Sequence, residues 1–460
     1  MINNMRKEMF DHEINILRDT YRRLLRRNAK INIFKLTSKT HPADLAVLFR
    51  HFSDEEQVEI FSLMKESEHT AEFLSELDNA LVNELLENES YERIAAIIEK
   101  APTNDQSGIL NILDDEKAKS IIKLLNVEEQ EEIAEIMGYP DDSAGALMNT
   151  EVFTLHESIT AGEAIKTLQD QEGAEMVFYL YITDDDDRLV GIISLRALTT
   201  TSSNTTLKDI MIKNVHSIRP ETDQEEVARI VAQYNFLAVP VLDSDSKLLG
   251  IVTVDDVVDV IREEATEDFL RMAGAGKDRE ILLKSSWENA KTRLPWLFAS
   301  WIGGVIAASL IGVFENMLEN IIALAAFIPV ILGMGGNIAT QSSTIIVRGM
   351  ATGRVNLGGE IKLILKEVQV GLILGTLYGV LLGLFARFIF SDAPENLGFV
   401  VGLSICASMI VAATVGTIIP LILRKLDIDP AVATGPFVTT SIDILGVLFY
   451  FLIAGLFLKI

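Results

Sequence analysis

Asp443 is the sole charged residue between Phe437 and Leu458, in an apolar stretch near the end of a 460-residue chain. An aspartate at the centre of a membrane helix costs roughly 2.5 to 3.5 kcal/mol on insertion scales, so such a residue serves a permeation or binding site, or bonds to a neighbouring helix. The chemistry it offers is cation binding. Gly435-Pro436 precedes it and Thr439 and Thr440 lie between, and a proline-broken helix can aim carbonyl and hydroxyl oxygens at a cation. Asp429-Pro430-Ala431 places a second carboxylate at one mouth of the same span. A second polar segment runs from Pro329 through Gly333, Gly335, Gly336 and Asn337 to Gln341, Ser342, Ser343 and Thr344. Glycines there permit close helix approach or local unwinding, and the polar groups must find partners or line water. A pore-lining role accounts for them better than packing alone.

A third constellation is acidic. Asp255, Asp256, Asp259, Glu263, Glu264, Glu267 and Asp268 fall within 14 residues, and at helical spacing Asp256, Asp259 and Glu263 share one face. Like charges so placed repel, and divalent cations that bridge them relieve the repulsion, so a state that gathers them is favoured by its own ligand. Net charge is distributed to match. The chain carries -26 overall, yet residues 285–460 hold 10 basic and 10 acidic groups, and residues 1–39 hold 10 basic and 4 acidic. The intervening body is therefore about -32, which disfavours nucleic acid and anionic lipid as its partners and makes divalent cation its natural counter-ion. The basic opening segment, with Arg22, Arg23, Arg26 and Arg27, reads as a solvated amphipathic helix face. One cysteine, Cys406, excludes a disulfide framework and a cysteine metal site. Met1 to Phe10 is charged and lacks an apolar core, so the acidic body is expected in the cytoplasm.

These groups need elements to hold them. Residues 40–138 carry apolar side chains at helical spacing, such as Leu45, Leu48, Phe49 and Phe52, and predict a superhelical stack of short helices. Ser53-Asp54-Glu55-Glu56 and Leu113-Asp114-Asp115-Glu116 have the look of helix starts. Asp141-Asp142-Ser143 before Ala144-Gly145 marks a boundary. From Val152 to Glu264 a repeat emerges: Arg188 to Ser194 matches Lys247 to Thr253 at an offset of 59 residues. Each copy combines an amphipathic helix, a β-rich run, an acidic turn (Asp184 to Asp187, Asp243 to Asp245), a second strand and a helix. The pair resembles a tandem CBS domain, a regulatory module that commonly binds adenine nucleotides and dimerises. Beyond it, apolar segments at 296–314, 321–347, 368–390, 397–423 and 432–458 approach or exceed the roughly 20 residues of a membrane span. Lys291, Arg293, Arg348, Arg354, Lys362, Lys366, Arg424 and Lys425 flank them on one side, against Arg387 and Lys459 on the other. This bias puts the amino terminus inside and the carboxyl terminus outside.

Pro329 through Gln341, Asp429-Pro430-Ala431 and the Pro436 to Asp443 run closely resemble the MgtE magnesium channel and transporter family, and the order of parts agrees along essentially the whole chain. The expected organisation is a multidomain membrane protein. It has a basic helical arm (1–39), an all-α superhelical domain like the MgtE N domain (40–145), an α/β tandem CBS pair (146–207 and 208–264), a connecting, plug-like helix (265–293) and a five-helix transmembrane domain (294–460). The resemblance implies a homodimer in the plasma (inner) membrane with one pore at its interface, where Asp443 of both chains, with Thr439 nearby, holds hydrated Mg2+ and Asp429 stands at the cytoplasmic mouth. It also implies gating by internal Mg2+ bound between the CBS pair and the connecting helix. Asp223 and Glu225 would join the acidic run there, whereas Asn235 replaces a carboxylate found in some relatives.

For nucleotide, the residues leave two readings open. Thr253 and Asp256 fit a CBS pattern in which a hydroxyl and an acid contact phosphate and ribose, and Tyr179, Arg196 and Phe236 match positions that hold ATP in some relatives. Asp256 is also a member of the Mg2+ set. Gly274-Ala-Gly276-Lys277 lacks the Ser or Thr of a P-loop, so energisation by ATP hydrolysis is not expected. The expected function is a passive, gated Mg2+ channel and not an enzyme. The alternatives are a Co2+ or Mn2+ carrier, a Na+- or H+-coupled carrier, or a membrane sensor of Mg2+ or nucleotide that does not transport.

Overall fold

The structure is a computed structural model that describes residues 2–170, 178–275, 285–355, 359–426, 428–433 and 435–458, with side chains from residue 14 onward. Residues 276–284 of the expected connecting segment, and Lys459, lie outside the described residues. The chain divides into two compact units, Met1–Val260 and Ile261–Ile460.

The first unit opens with short helices from Ile2–Arg26 to Val127–Ile136. Local chemistry starts them: Ser53 and Glu56 form a reciprocal capping box at Asp54–Ser62, and Asp114 occupies the cap position of Asp115–Ile122. Their apolar faces bury Leu45, Phe49, Phe61 and Phe73 in one core, with the Phe49 and Phe73 rings edge to face at 4.6 Å. The basic opening helix is half solvated only. Its Tyr21 is buried in this core against Phe52, and Arg22 pairs with Glu56 at 3.2 Å.

The repeat folds as two related sheets. In the first, β1 (Thr154–His156) runs parallel to β2 (Tyr179–Thr183), which pairs antiparallel with β3 (Leu189–Ser194). In the second, β4 (Ala238–Leu242) pairs with β5 (Leu248–Thr253), and Ile218 makes a single parallel bridge to Val241 in the place of β1. The acidic turns are tight Asx turns. The Asp184 carboxylate accepts from the amides of Asp186 and Arg188, and Asp243 does the same for Asp245 and Lys247. Asp187 and Ser246, also 59 residues apart, both take positive φ, 61° and 68°. Residues 143–145 are no free linker. The Ala144 and Gly145 amides donate to the carbonyls of Thr222 and Pro220, and Ala144 and Met148 are buried with the second repeat.

The second unit holds five helices long and apolar enough to cross a membrane: Ser286–Val313, Ala323–Ala351, Glu360–Ile389, Leu397–Lys425 and Pro436–Leu458, here the first to fifth membrane helices. Lipid tails are as apolar as leucine, so such helices associate through close packing rather than burial of apolar area. The third and fourth meet along Gly371, Gly375, Gly379 and Gly383. A Cβ on Gly402 would stand 2.6 Å from the Gly379 carbonyl oxygen, nearer than real contacts allow. The fourth helix also meets the second, where Gly416 abuts Ala339, and the Tyr450 hydroxyl of the fifth donates to the Leu324 carbonyl of the second at 2.8 Å.

Gly402→Val is therefore expected to destabilise the bundle by about 1–3 kcal/mol, as overpacking usually does. Gly304→Val, at a glycine with open space around it, should leave the melting temperature in detergent unchanged. Equal melting of the two variants would show that the glycine seam does not hold these helices together.

Candidate functional site

Asp443 sits on the fifth membrane helix seven residues past Pro436, roughly 10 Å along the axis at 1.5 Å per residue. Pro436 is the first residue of that helix, preceded by the 3-10 turn Pro430–Ala433, so the proline starts the helix rather than breaking it. Among the described residues none donates a hydrogen bond to Asp443 or pairs with it, and its side chain is part-exposed in the single chain. It does not tie two helices together. The Thr439 hydroxyl donates toward the carbonyls of Gly435 and Pro436, both at 3.3 Å, which leaves its oxygen lone pairs able to face a cation.

The second membrane helix stays continuous through Pro329, Gly333, Gly335 and Gly336, without the unwinding its glycines would permit. Its glycines divide by face. Gly335 is buried, and a Cβ there would stand 2.9 Å from Ile442, the neighbour of Asp443, and 3.1 Å from the Ser408 hydroxyl. Gly333 and Gly336 have nothing within 4 Å. Pro329, Gly333, Asn337, Gln341 and Thr344 form an exposed stripe at helical spacing, so this helix carries a polar outer face at the level of Asp443. Such a face suits water or another copy rather than lipid. Inside the bundle, Ser342 donates to the buried Glu367 at 2.8 Å, and among the described residues the buried hydroxyls of Ser343, Ser404 and Ser408 find no partner. Ser342 and Ser343, expected to line a pore, are instead buried within the bundle; Ser404 and Ser408 are single polar residues in an apolar run, and Glu367 reads in the sequence as one more charge beside Lys366 at a span's flank. Nearer the basic flank, Asp429 accepts from the Ala431 amide at 2.8 Å and pairs with Arg271.

The acidic run lies on one helix, Val254–Met272, where Asp256, Asp259 and Glu263 share a face as their spacing requires. Asp256 is firmly engaged. It accepts from the Thr253 hydroxyl at 2.6 Å, the Thr253 amide at 3.2 Å and the Asn104 side-chain amide at 2.9 Å. Burial raises its pKa, with these hydrogen bonds opposing. Asp105, from helix Thr103–Ile112, belongs to the same cluster. Its carboxyl is pushed up to about 6, first by burial and then by the charges of Asp256, Glu76 and Asp259, against a hydrogen bond from Ser75. The side-chain oxygen of Asn104 beside them is buried and finds no hydrogen-bond partner among the described residues. Asp105 was missed because, at the start of a short helix, it looks like any dipole-favoured acid. Of the other expected sensor residues, Asp255, Asp259 and Glu263 are exposed, and Glu264, Glu267 and Asp268 are half-buried. Burial and Glu264 raise the pKa of Asp268, while Arg271 and Arg348 oppose them. Asp223 caps helix Gln224–Tyr234 by accepting from the Glu225 amide at 2.8 Å. Asn235 ends that helix at φ 55°, a left-handed C-cap that asparagine tolerates well. Among the described residues, no three of the His, Cys, Asp and Glu side chains stand close enough to enclose a metal ion by themselves.

The nucleotide candidates are dispersed. Thr253 and Asp256 bond to each other, Arg196 is exposed on Leu195–Thr200, and Tyr179 pairs with Ser194 at the start of β2. Phe236 stacks on Tyr234 with ring centres 5.3 Å apart, and Tyr234 stacks on His216 at 4.5 Å. This aromatic platform includes two residues, His216 and Tyr234, that no sequence motif singled out.

Comparison with known proteins places these features in a family. Residues 328–453 match MgtE, described as a divalent cation transporter; residues 40–142 match the MgtE intracellular N domain; residues 144–203 and 207–263 match CBS domains. The magnesium transporter MgtE of Bacillus subtilis is 34% identical over 437 residues, covering 95% of this chain and 96% of the relative. That of Enterococcus faecalis is 40% identical, covering 72% and 73%. Among solved structures, the soluble part of a magnesium transporter is 30% identical with a TM-score of 0.51, covering 55% of this chain and 99% of the other. The cytosolic domain of the Mg2+ channel MgtE in complex with ATP is 31% identical with a TM-score of 0.51, covering 53% and 99%.

The raised carboxyl of Asp105 gives a pH signature. Its folded value of about 6 lies above the ordinary 3.8, so its contribution to stability is full below about 3.8 and is lost as pH rises through 6. In Mg2+-free buffer the melting transition of the first unit is expected at a higher temperature at pH 5 than at pH 7.5. Asp105→Asn should flatten that difference and raise stability at pH 7.5 by about 1–3 kcal/mol. An unaltered pH profile in the variant would rule Asp105 out as its source.

Proposed function

Since the chain belongs to the MgtE family of divalent cation transporters, we propose that it is a Mg2+ channel: two copies line one pore, and Mg2+ flows through it down its electrochemical gradient. The observation that carries this reading is Asp443, a carboxylate in a membrane helix with no partner in its own chain among the described residues, level with the polar face of the second helix. An unpaired charge within a membrane helix is costly, and it persists where a ligand supplies the missing charge. Mg2+ dehydrates reluctantly, so two copies of Asp443 act on its water shell, with Thr439, Asn337 and Gln341 as further oxygen and amide contacts. The paired negative charge excludes anions, and pore width sorts hydrated cations. Asp429 concentrates cations at the cytoplasmic mouth, the amino terminus being inside and the carboxyl terminus outside by the distribution of basic flanks.

Internal Mg2+ closes the pore in this reading. Asp105, Asp256 and Asp259 repel one another where the helical domain meets the second repeat, and the unsatisfied Asn104 oxygen adds a neutral ligand. A hard cation with oxygen ligands offsets both costs and draws these parts together. Asp223, Glu225, Asp255, Glu263, Glu264, Glu267 and Asp268 supply the remaining acidic oxygens, some of them across the dimer. ATP would use the aromatic platform at Phe236 for its base, with Tyr179 and Arg196 nearby. Because Asp256 is held by Thr253 and Asn104, nucleotide and Mg2+ compete for its rearrangement.

Asp443→Ala is expected to abolish Mg2+ uptake in a transport-deficient host while the protein still assembles as a dimer; normal uptake would refute the pore. Asp105→Asn combined with Asp256→Asn should raise the internal Mg2+ needed for half-inhibition in patch recordings. An unmoved inhibition curve would remove this cluster from the sensor.

A further inference from the structure

Arg271 stands in the last turn of helix Val254–Met272, and its guanidinium is shared between two carboxylates. One is Glu267, a turn back on the same helix; the other is Asp429, before the fifth membrane helix. The surroundings fix this arrangement. Met272 packs into an apolar cluster with Ile346, Val347, Leu421 and Ala431, and Asp429 is held by the Ala431 amide at 2.8 Å. Gly274, at φ 68°, closes the helix beside Pro436, to which a Cβ would stand 3.5 Å away. The end of the helix is thus seated on the turn that starts the helix bearing Asp443.

We infer that Arg271 couples the regulatory cation to the pore mouth by dividing its charge between Glu267 and Asp429. A guanidinium presents several donors in a rigid fork and can serve two carboxylates at once, which an ammonium does less well. The two carboxylates therefore compete for it. When a divalent cation takes Glu267, that carboxylate releases its share, Arg271 turns wholly to Asp429, and the mouth charge that concentrates permeant cations is neutralised. When the cation leaves, Glu267 draws the guanidinium back and Asp429 regains its charge. The coupling is reciprocal: a cation at Asp429 displaces Arg271 toward Glu267 and weakens regulatory binding there. This rests on Asp429 being the mouth acid and Glu267 a regulatory ligand, as proposed above, and adds the residue through which they communicate.

The test is current through the full-length protein in excised patches, with internal Mg2+ varied. Arg271→Gln should raise the Mg2+ concentration for half-inhibition on the order of tenfold, within the usual range of coupling between two sites, and Arg271→Lys should restore part of the shift. Glu267→Gln is the sharper case. It should lower the current in Mg2+-free solution severalfold, because Arg271 then serves Asp429 alone, whereas simple loss of a Mg2+ ligand would leave that current unchanged or raise it. A wild-type inhibition curve in Arg271→Gln, or an unreduced Mg2+-free current in Glu267→Gln, overturns the coupling and leaves the channel reading standing. Absence of Mg2+ current from the unmodified protein overturns the channel reading itself.

Discussion

A carboxylate inside a membrane-spanning helix must be neutralised by something, and the rest of the second unit is arranged around the fact that Asp443 has no such partner among the described residues of its own chain. The bundle holds it in place without answering its charge. Glycines on the third and fourth helices bring those backbones into contact, Gly416 locks the fourth to the second, and Gly335 admits Ile442 against the second helix. Each contact is steric. Some polar groups of the bundle are met internally, Ser342 by Glu367 and Tyr450 by the Leu324 carbonyl, whereas the hydroxyls of Ser343, Ser404 and Ser408 find no partner among the described residues. The face of Gly333, Asn337 and Gln341 is exposed, at the level of Asp443.

The same electrostatic problem recurs in the first unit at lower cost. Asp105 and Asp256 are half-buried rather than membrane-embedded, and each already accepts hydrogen bonds, from Ser75 or from Thr253 and Asn104. Hydrogen bonding tempers their repulsion without removing it, since burial still raises both carboxyls. That partial compensation suits the proposed role of a reversible sensor. A fully satisfied cluster would have nothing to gain from a cation, and an uncompensated one would drive the domains apart.

How much of this was legible in the sequence follows from the range over which each feature is determined. The 59-residue repeat, the Asx turns at Asp184 and Asp243 and the capping box at Ser53 depend on residues within a few positions of one another, and the structure realises them. The five apolar helices are equally local, being a matter of length and composition. Asp105 was invisible because its character comes from Asp256, some 150 positions away in sequence and adjacent only after packing. The aromatic platform of His216, Tyr234 and Phe236 joins residues from either end of one helix. Pro436 was misjudged for a subtler reason: a proline ahead of a polar residue reads as a break, yet at the first position of a helix its missing amide is no loss.

The turn at Pro430–Ala433 is where the proposed sensing and permeation would share a boundary. It is a short 3-10 segment, and such segments have poorer hydrogen-bond geometry than the α-helices around them. Rigid helices flank it on both sides, the fourth ending at Lys425 and the fifth beginning at Pro436. The side chains anchored there, Asp429 through Arg271 and Ala431 through its apolar cluster, decide where the turn rests. A change in charge at Arg271 therefore acts on this turn rather than on the packed helices. In the proposed coupling, that placement would let a regulatory cation influence the mouth without repacking the glycine-lined helices that hold Asp443 at its depth.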